Sequence, residues 1–256
     1  MSFISSAALT LHQAALTRTS TDQLTLNQEF TLEEAYQIQH QLIQHRLSQG
    51  HQLIGVKMGF TSEAKMKQMG VSDMIIGMLT SDMLHTNGGT MSLSEFIHPR
   101  VEPEICFILN DDINEVLDEH QVKSKVSGIA AAIEIIDSRY KNFKFSLSDV
   151  VADNCSSAAL VVGIISEDIN NPLDNNKIQL NINGEAVETG SSTDILGNPW
   201  KALAAATRLA HQYNIPLKKG MYVMAGAATS AYFAEVEQEI SADVEGLESV
   251  FFRVNQ

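Results

Sequence analysis

The segment HPRVEPEICFILN sets Glu102 and Glu104 two residues apart in an otherwise strand-like run. Side chains alternate across a strand, so both carboxylates fall on one face while Val101, Pro103 and Ile105 take the other. Neighbouring carboxylates resist joint ionisation, and keeping both charged calls for a cation beside them. Pro103 has no amide proton for a ladder and predicts an edge, bulge or first-residue position, the irregular kind of place on which sites are built. A third acid, Glu134, is centred in the apolar run GIAAAIEIIDSRY on the face of Ala132 and Ile136, where an unpaired charge is expensive. Three glutamates so placed suit one hard divalent ion, Mg2+ or Mn2+, and the chain has no Cys and His group of zinc spacing. Plainer readings stay open at this point: an E-x-E pair on a solvated strand face, and a structural salt bridge from Glu134 to Arg100 or Arg139.

Lys57 raises the complementary question. It sits inside GVKMGF, a stretch that otherwise reads as buried strand and leads into a run rich in Met and Lys, FTSEAKMKQMGV. A lysine there either snorkels at a strand edge or serves a site. An apolar setting would also lower its pKa toward acid–base work.

The elements that must carry these residues are a mixture. The first fifty residues read as helical. TLEEAYQIQHQLIQHRLSQG pairs Thr31 with Glu34 as a capping box, puts Gly50 where a C′ glycine belongs, and lines Leu32, Ala35, Ile38, Leu42 and Leu47 along one stripe. His40 and His45, five apart, fall on different faces and read as solvated or core-edge side chains. After Gly55 the texture changes to short apolar runs with turn signals. KIQLNINGEAVETG alternates around Asn183-Gly184, which predicts a type I′ hairpin. GNPWKALAAATRLAHQYN predicts a second helix, with Asn198 as N-cap, Pro199 at N1, and Leu203, Leu209 and Tyr213 along it. LKKGMYVMAGAAT and ESVFFRV close the chain as strands, SEDINNPLDNN is a polar loop, and the class is α+β.

Composition bounds the rest. A chain of 256 residues, 44% hydrophobic, can bury a large core. Its 31 acidic against 17 basic residues give a net charge of −14, which disfavours nucleic acid or an anionic membrane as partner and favours metal cations and small ligands. NCSSAALVVGIIS is too short to span a bilayer and MSFISSAALTLHQ lacks the basic flank of a signal peptide, so a cytoplasmic protein is expected. Cys106 and Cys155 lie beside apolar residues and read as reduced thiols. G-x-S-x-G, H-E-x-x-H, P-loop and dinucleotide motifs are absent from the sequence.

GVKMGFTSEAKMKQMGV, HPRVEPEICFIL, AIEIIDSRYKNFKFSLSDVVADN and LGNPWKALAAATRLA, in that order, resemble the fumarylacetoacetate hydrolase superfamily, in its branch of 2-keto-4-pentenoate hydratases and 4-oxalocrotonate decarboxylases. The likeness runs from about Gly55 to the C-terminus and more loosely through the N-terminal helices. It implies a helical segment over 1–54 and, over 55–256, a catalytic domain built as a mixed, partly rolled β-structure with peripheral helices. It implies Glu102, Glu104 and Glu134 as ligands of Mg2+ or Mn2+ and Lys57 as the active-site lysine.

Within the branch the wording is closest to the decarboxylases. Hydratases usually carry an acid two positions before the glycine that matches Gly77, and here that position is Ile75. The implied reaction is decarboxylation of 2-oxohex-3-enedioate to 2-hydroxypenta-2,4-dienoate and CO2 in the meta-cleavage degradation of aromatic compounds, the cation drawing electrons onto the keto oxygen. The alternatives are the dienoate hydratase and a non-catalytic subunit of a hydratase–decarboxylase complex. Ser156, Ser157 and Thr229 are candidates for substrate contact, Arg139 and Lys144 for the leaving carboxylate, and Asp137 for holding Lys57 or a metal-bound water. The resemblance also implies a homo-oligomer that associates with a hydratase.

Overall fold

The computed structural model describes residues 2–62, 66–67, 73–170 and 172–256. The Met- and Lys-rich run after Gly59 lies largely outside them. Helices α1 (Phe3–Thr17) and α2 (Leu32–Ser48) open the chain. α2 starts as its sequence predicts: the Glu34 amide donates to the Thr31 hydroxyl, and the Glu34 carboxylate accepts the Thr31 amide at 2.8 Å. Gly50 follows the helix at φ +97°, a conformation that costs glycine little. Ala35, Ile38 and Leu42 are buried. So is Gln39, whose amide group donates to the Ile76 and Val151 carbonyls and ties α2 to the sheet. His40 caps the Tyr213 carbonyl at 2.8 Å and His45 stacks on His12, on separate surfaces as their spacing requires.

The following elements are β1 (Leu53–Gly59), β2 (Ile75–Thr80), β3 (Leu84–His85), β4 (Thr90–Ser92), β5 (Arg100–Leu109), α3 (Glu119–Lys123), β6 (Val126–Ile136), α4 (Leu147–Ala152) and β7 (Ser157–Val162). Then come β8 (Lys177–Ile182), β9 (Glu185–Ser191), α5 (Pro199–Gln212), β10 (Tyr222–Met224), β11 (Tyr232–Phe233), β12 (Glu239–Val244) and β13 (Val250–Asn255). The larger sheet runs β2-β1-β10-β5-β6-β7-β3, with β11 pairing the start of β5; the smaller runs β4-β13-β12-β8-β9. The β8–β9 hairpin turns through Asn183 (φ 52°) and Gly184 (φ 83°), as a type I′ turn requires.

The larger sheet curls into a roll, and Asn154 closes it. Its carboxamide donates to the Met78 carbonyl and accepts the Met78 amide, both at 2.8 Å, so one side chain substitutes for a neighbouring strand beside β2. Asn154, Cys155 and Ser156 all take left-handed φ, from 51° to 59°, a costly run for non-glycine residues that the surroundings enforce. Gly77 permits this approach: a Cβ there would fall 2.8 Å from the Asn154 carbonyl oxygen.

Opposed residues in a ladder share a face. The pairings Lys57↔Met224, Met224↔Cys106, Glu104↔Ala132 and Glu134↔Leu160 therefore put all of these on the inner face of the roll. One part of that face is the apolar cluster Leu79, Met83, Cys106, Ala132, Leu160 and Met224; the other carries the lysine and the acids. The outer face, with Val56, Ile105, Phe107, Ile133 and Val161, joins the main core with the helices and the smaller sheet. Both cysteines are buried free thiols. Among the described residues no helix is long and apolar enough to cross a membrane.

Pro103 departs from its expected edge, bulge or first-residue position. β5 is flanked by β6 throughout and by β10 and β11 on the other side, and Pro103 lies between the last two, at Ile133's level. Its carbonyl accepts the Ala228 amide at 3.3 Å, so the missing donor faces the chain that has left the ladder after β10.

Candidate active site

β5 places Glu102 and Glu104 on the inner face, and β6 brings Glu134 directly opposite Glu102. One oxygen from each carboxylate lies within 4.8 Å of the others, and all three residues are buried, Glu104 and Glu134 completely. The Glu104 carboxylate accepts the Gly226 amide at 2.9 Å through Oε2, while Oε1 is buried without a partner. Glu134 Oε1 receives the Ser157 hydroxyl at 3.4 Å, and Oε2 forms an ion pair with Lys57 Nζ at 3.0 Å.

The charges answer one another. Burial pushes the Glu104 carboxyl well above the usual range, and Glu134 adds to it. Burial likewise raises Glu134, against the pull of Lys57. Burial alone would lower the Lys57 ammonium, but Glu134 beside it, with Glu102 and Glu104, holds its pKa above the ordinary lysine value. The lowered pKa anticipated for Lys57 is thus reversed by the carboxylates. A buried carboxylate oxygen with no partner, inside a set of three all-oxygen donors, fits a hard divalent cation and not a zinc-type site.

A cavity of about 470 Å3 opens from this group, with Lys57, Glu102 and Ser156 on its polar wall and Ile75, Ile136, Phe143, Phe145 and Val150 among its apolar lining. Ser156 presents a buried hydroxyl that has no hydrogen-bond partner. The loop after β10 supplies Ala227, Ser230 and Ala231. Thr229 is buried in that loop and its hydroxyl donates to the Ser230 carbonyl at 3.0 Å.

The other candidates go elsewhere. Asp137 does not reach Lys57: its carboxylate accepts the Ile97 and His98 amides at 2.8 and 2.7 Å and anchors the chain entering β5. Arg139 is no partner for a ligand carboxylate, because its guanidinium is already bonded to the Asp153 carboxylate and to the carbonyls of Asp137, Asp153 and Ser157. It braces the turn that carries Asn154 to Ser157. Lys144 is exposed and outside the cavity wall, although its neighbours Phe143 and Phe145 are on it.

Two residues were not read as part of the site: Arg100, weighed only as a salt-bridge partner for Glu134, which pairs with Lys57 instead, and Gly226. Arg100 lines the cavity, and period two places it on the same face as Glu102, a signal that was available. Gly226 was hidden in an ordinary small-residue stretch. Its φ is +101°, and a Cβ there would meet Thr61 Oγ1 at 2.1 Å.

The chain matches the model of the fumarylacetoacetate hydrolase C-terminal family over residues 53–255. It is 45% identical over 249 residues to a 4-oxalocrotonate decarboxylase of Pseudomonas sp., covering 97% of each chain. It is 33% identical over 222 residues to a 2-keto-4-pentenoate hydratase of Burkholderia vietnamiensis, covering 84% of this chain and 83% of the relative. Among solved structures, 4-oxalocrotonate decarboxylase from Pseudomonas putida G7, complexed with magnesium and adipate, superposes with a TM-score of 0.94 at 30% identity, over 98% of this chain and 97% of that one.

Proposed function

The chain belongs to the fumarylacetoacetate hydrolase family, and on that premise we propose that it is a carboxy-lyase, a Mg2+-dependent decarboxylase converting 2-oxohex-3-enedioate to 2-hydroxypenta-2,4-dienoate and CO2. The observation that carries the reading is the buried convergence of Glu102, Glu104 and Glu134 beside Lys57, at the floor of a cavity large enough for a six-carbon diacid.

In this reading the three glutamates hold Mg2+, or Mn2+ in its place. The bound cation supplies Lewis-acid stabilisation of negative charge at the 2-oxo oxygen. The chain's own groups do the rest. Lys57, held cationic, adds a second positive charge beside the developing oxyanion. Ser156 offers a hydroxyl at the polar wall, Ser157 behind it donates to Glu134, and Gly226 fixes the Glu104 carboxylate through its amide. The bond between C5 and C6 breaks, its electron pair moves through the conjugated chain to the 2-oxo oxygen, and a proton taken there gives the dienol. The apolar lining of Ile136, Phe145 and Val150 keeps water from the departing CO2.

Hydration of 2-hydroxypenta-2,4-dienoate is the second reading, and the hydratase relatives favour it. It needs a group to deliver the proton of water, and the inner-face position beside Gly59 is the hydrocarbon Ile75. The proposal extends to 1–54 as a helical segment preceding the catalytic domain, to a cytoplasmic homo-oligomer, and to association with a dienoate hydratase, which would consume the product. Purified protein with Mg2+ should release CO2 from 2-oxohex-3-enedioate. Water addition to the dienoate without CO2 release would replace this reading by the second, and a wild type that turns over neither compound, with Glu104→Gln assembling as it does, would leave only a subunit role.

A further inference from the structure

The decarboxylase reading leaves the far carboxylate of its substrate without a receptor, since Arg139 and Lys144 do not face the cavity. We propose that Arg100 selects dicarboxylic over monocarboxylic 2-oxo acids by receiving that carboxylate, an inference that rests on the function proposed above.

Lys57 and Arg100 are the cations on the described cavity wall, and Lys57 is committed to Glu134. Arg100 Cζ lies over the Phe143 ring at 4.3 Å and over the Phe233 ring at 4.2 Å, while its Nε is buried with no hydrogen-bond partner. Two aromatic faces covering a guanidinium leave its N–H edge, the part that matches a planar carboxylate. The chain accepts strain to build this arrangement. Asn142 and Phe143 both take left-handed φ, 59° and 54°, a conformation costly for a phenylalanine, and Phe233 is the cross-strand partner of Arg100 on β11. Arg100 stands two residues along β5 from Glu102, about 7 Å at the usual strand rise, a separation that suits a diacid whose 2-oxo acid end lies at the glutamates.

This placement predicts a binding role. A hydrogen bond to the carboxylate that later departs as CO2 is made before the C–C bond breaks and weakens as the charge leaves. It therefore contributes to affinity more than to the chemical step.

The test uses two inert probes that differ only in the far carboxylate, 2-oxoadipate and 2-oxohexanoate, titrated calorimetrically into the full chain with Mg2+ present. The wild type should bind the diacid more tightly by about tenfold or more, the contribution of a charge-assisted hydrogen bond. Arg100→Met should abolish that preference while binding 2-oxohexanoate as the wild type does, which doubles as a check on folding. Arg100→Lys should keep part of the preference, and KM for 2-oxohex-3-enedioate should rise in Arg100→Met more than kcat falls. A preference that survives in Arg100→Met, or equal losses for both probes, overturns the proposal. A wild type that fails to decarboxylate 2-oxohex-3-enedioate overturns the activity reading instead, and the probe comparison remains measurable.

Discussion

Glu102 and Glu134 are direct cross-strand partners, two like-charged side chains placed opposite one another on the buried face of the β5–β6 ladder. Such a pair weakens a sheet. With Glu104 beside them the fold carries a standing electrostatic cost that Lys57 only partly offsets. A divalent ion bound by the three would remove it, and by mass action would stabilise the folded chain by about 2.7 kcal/mol at a hundredfold excess over Kd.

Chelation should accordingly lower the melting temperature, and Mg2+ should restore it. Glu104→Gln should abolish this response and nearly all turnover, yet melt no lower than the metal-free wild type, because the variant removes a buried carboxyl whose Oε1 has no partner. Thermal scans with EDTA and with Mg2+ check both parts. A variant that still gains stability from Mg2+ would remove Glu104 from the metal site.

Arg139→Met should destabilise the protein by about 3–5 kcal/mol, since it takes the counter-charge from the buried Asp153 carboxylate, leaving it the Arg139 amide, and frees the turn that closes the roll. Arg139→Met with Asp153→Leu should recover much of this, as a buried pair is often replaceable by packed hydrocarbon. Denaturant midpoints decide the matter. If the single variant kept wild-type stability and lost only substrate affinity, Arg139 would belong to the ligand site after all.

How far the site was legible follows from the range of the interactions involved. Period two on β5 is local, so the shared face of Glu102 and Glu104 could be read directly, and the oddity of Lys57 and Glu134 in apolar runs marked them without any partner being known. The roles suggested for Asp137, Arg139 and Lys144 failed because the partners that decide them are tertiary. Asp137 is taken by the amides of Ile97 and His98, and Arg139 by Asp153, pairings no periodicity reveals. The clamp on Arg100 joins Phe143 and Phe233 from distant segments, and left-handed φ at Asn154, Cys155 and Ser156 has no compositional sign. Helix α2 and the Asn183-Gly184 hairpin were legible for the opposite reason, since caps and turns are satisfied within a few residues.

Acid should weaken the N-terminal helices. His12 is buried, stacked on His45 at 5.0 Å between ring centroids, and its pKa is lowered by burial first and then by His45 and Arg46, with Asp82 opposing. The folded state therefore binds a proton less readily than the unfolded chain, whose histidine titrates near 6.5. This contribution to stability is complete above about pH 6.5 and is lost as the pH falls from there toward the lowered folded value. Denaturant midpoints should drop between pH 7.5 and pH 5.5, and His12→Gln should flatten that drop. An identical slope in the variant would assign the effect to other groups.

The last prediction concerns a residue with no side chain. Gly226 holds φ +101°, passes against Thr61, and donates its amide to Glu104 Oε2 at 2.9 Å. Gly226→Ala adds a methyl group where Thr61 Oγ1 already stands and forces an alanine into a left-handed backbone, so about 1–3 kcal/mol of stability should be lost. If relief comes by shifting the loop, the amide leaves Glu104 and the carboxylate set loosens, so Mg2+ affinity should fall along with stability. Thr61→Gly with Gly226→Ala clears the collision but keeps the backbone strain, and it should recover the metal affinity ahead of the melting temperature. Calorimetric Mg2+ titrations of the two variants separate these effects. Undiminished Mg2+ binding by Gly226→Ala would show that the amide only fills space beside Glu104.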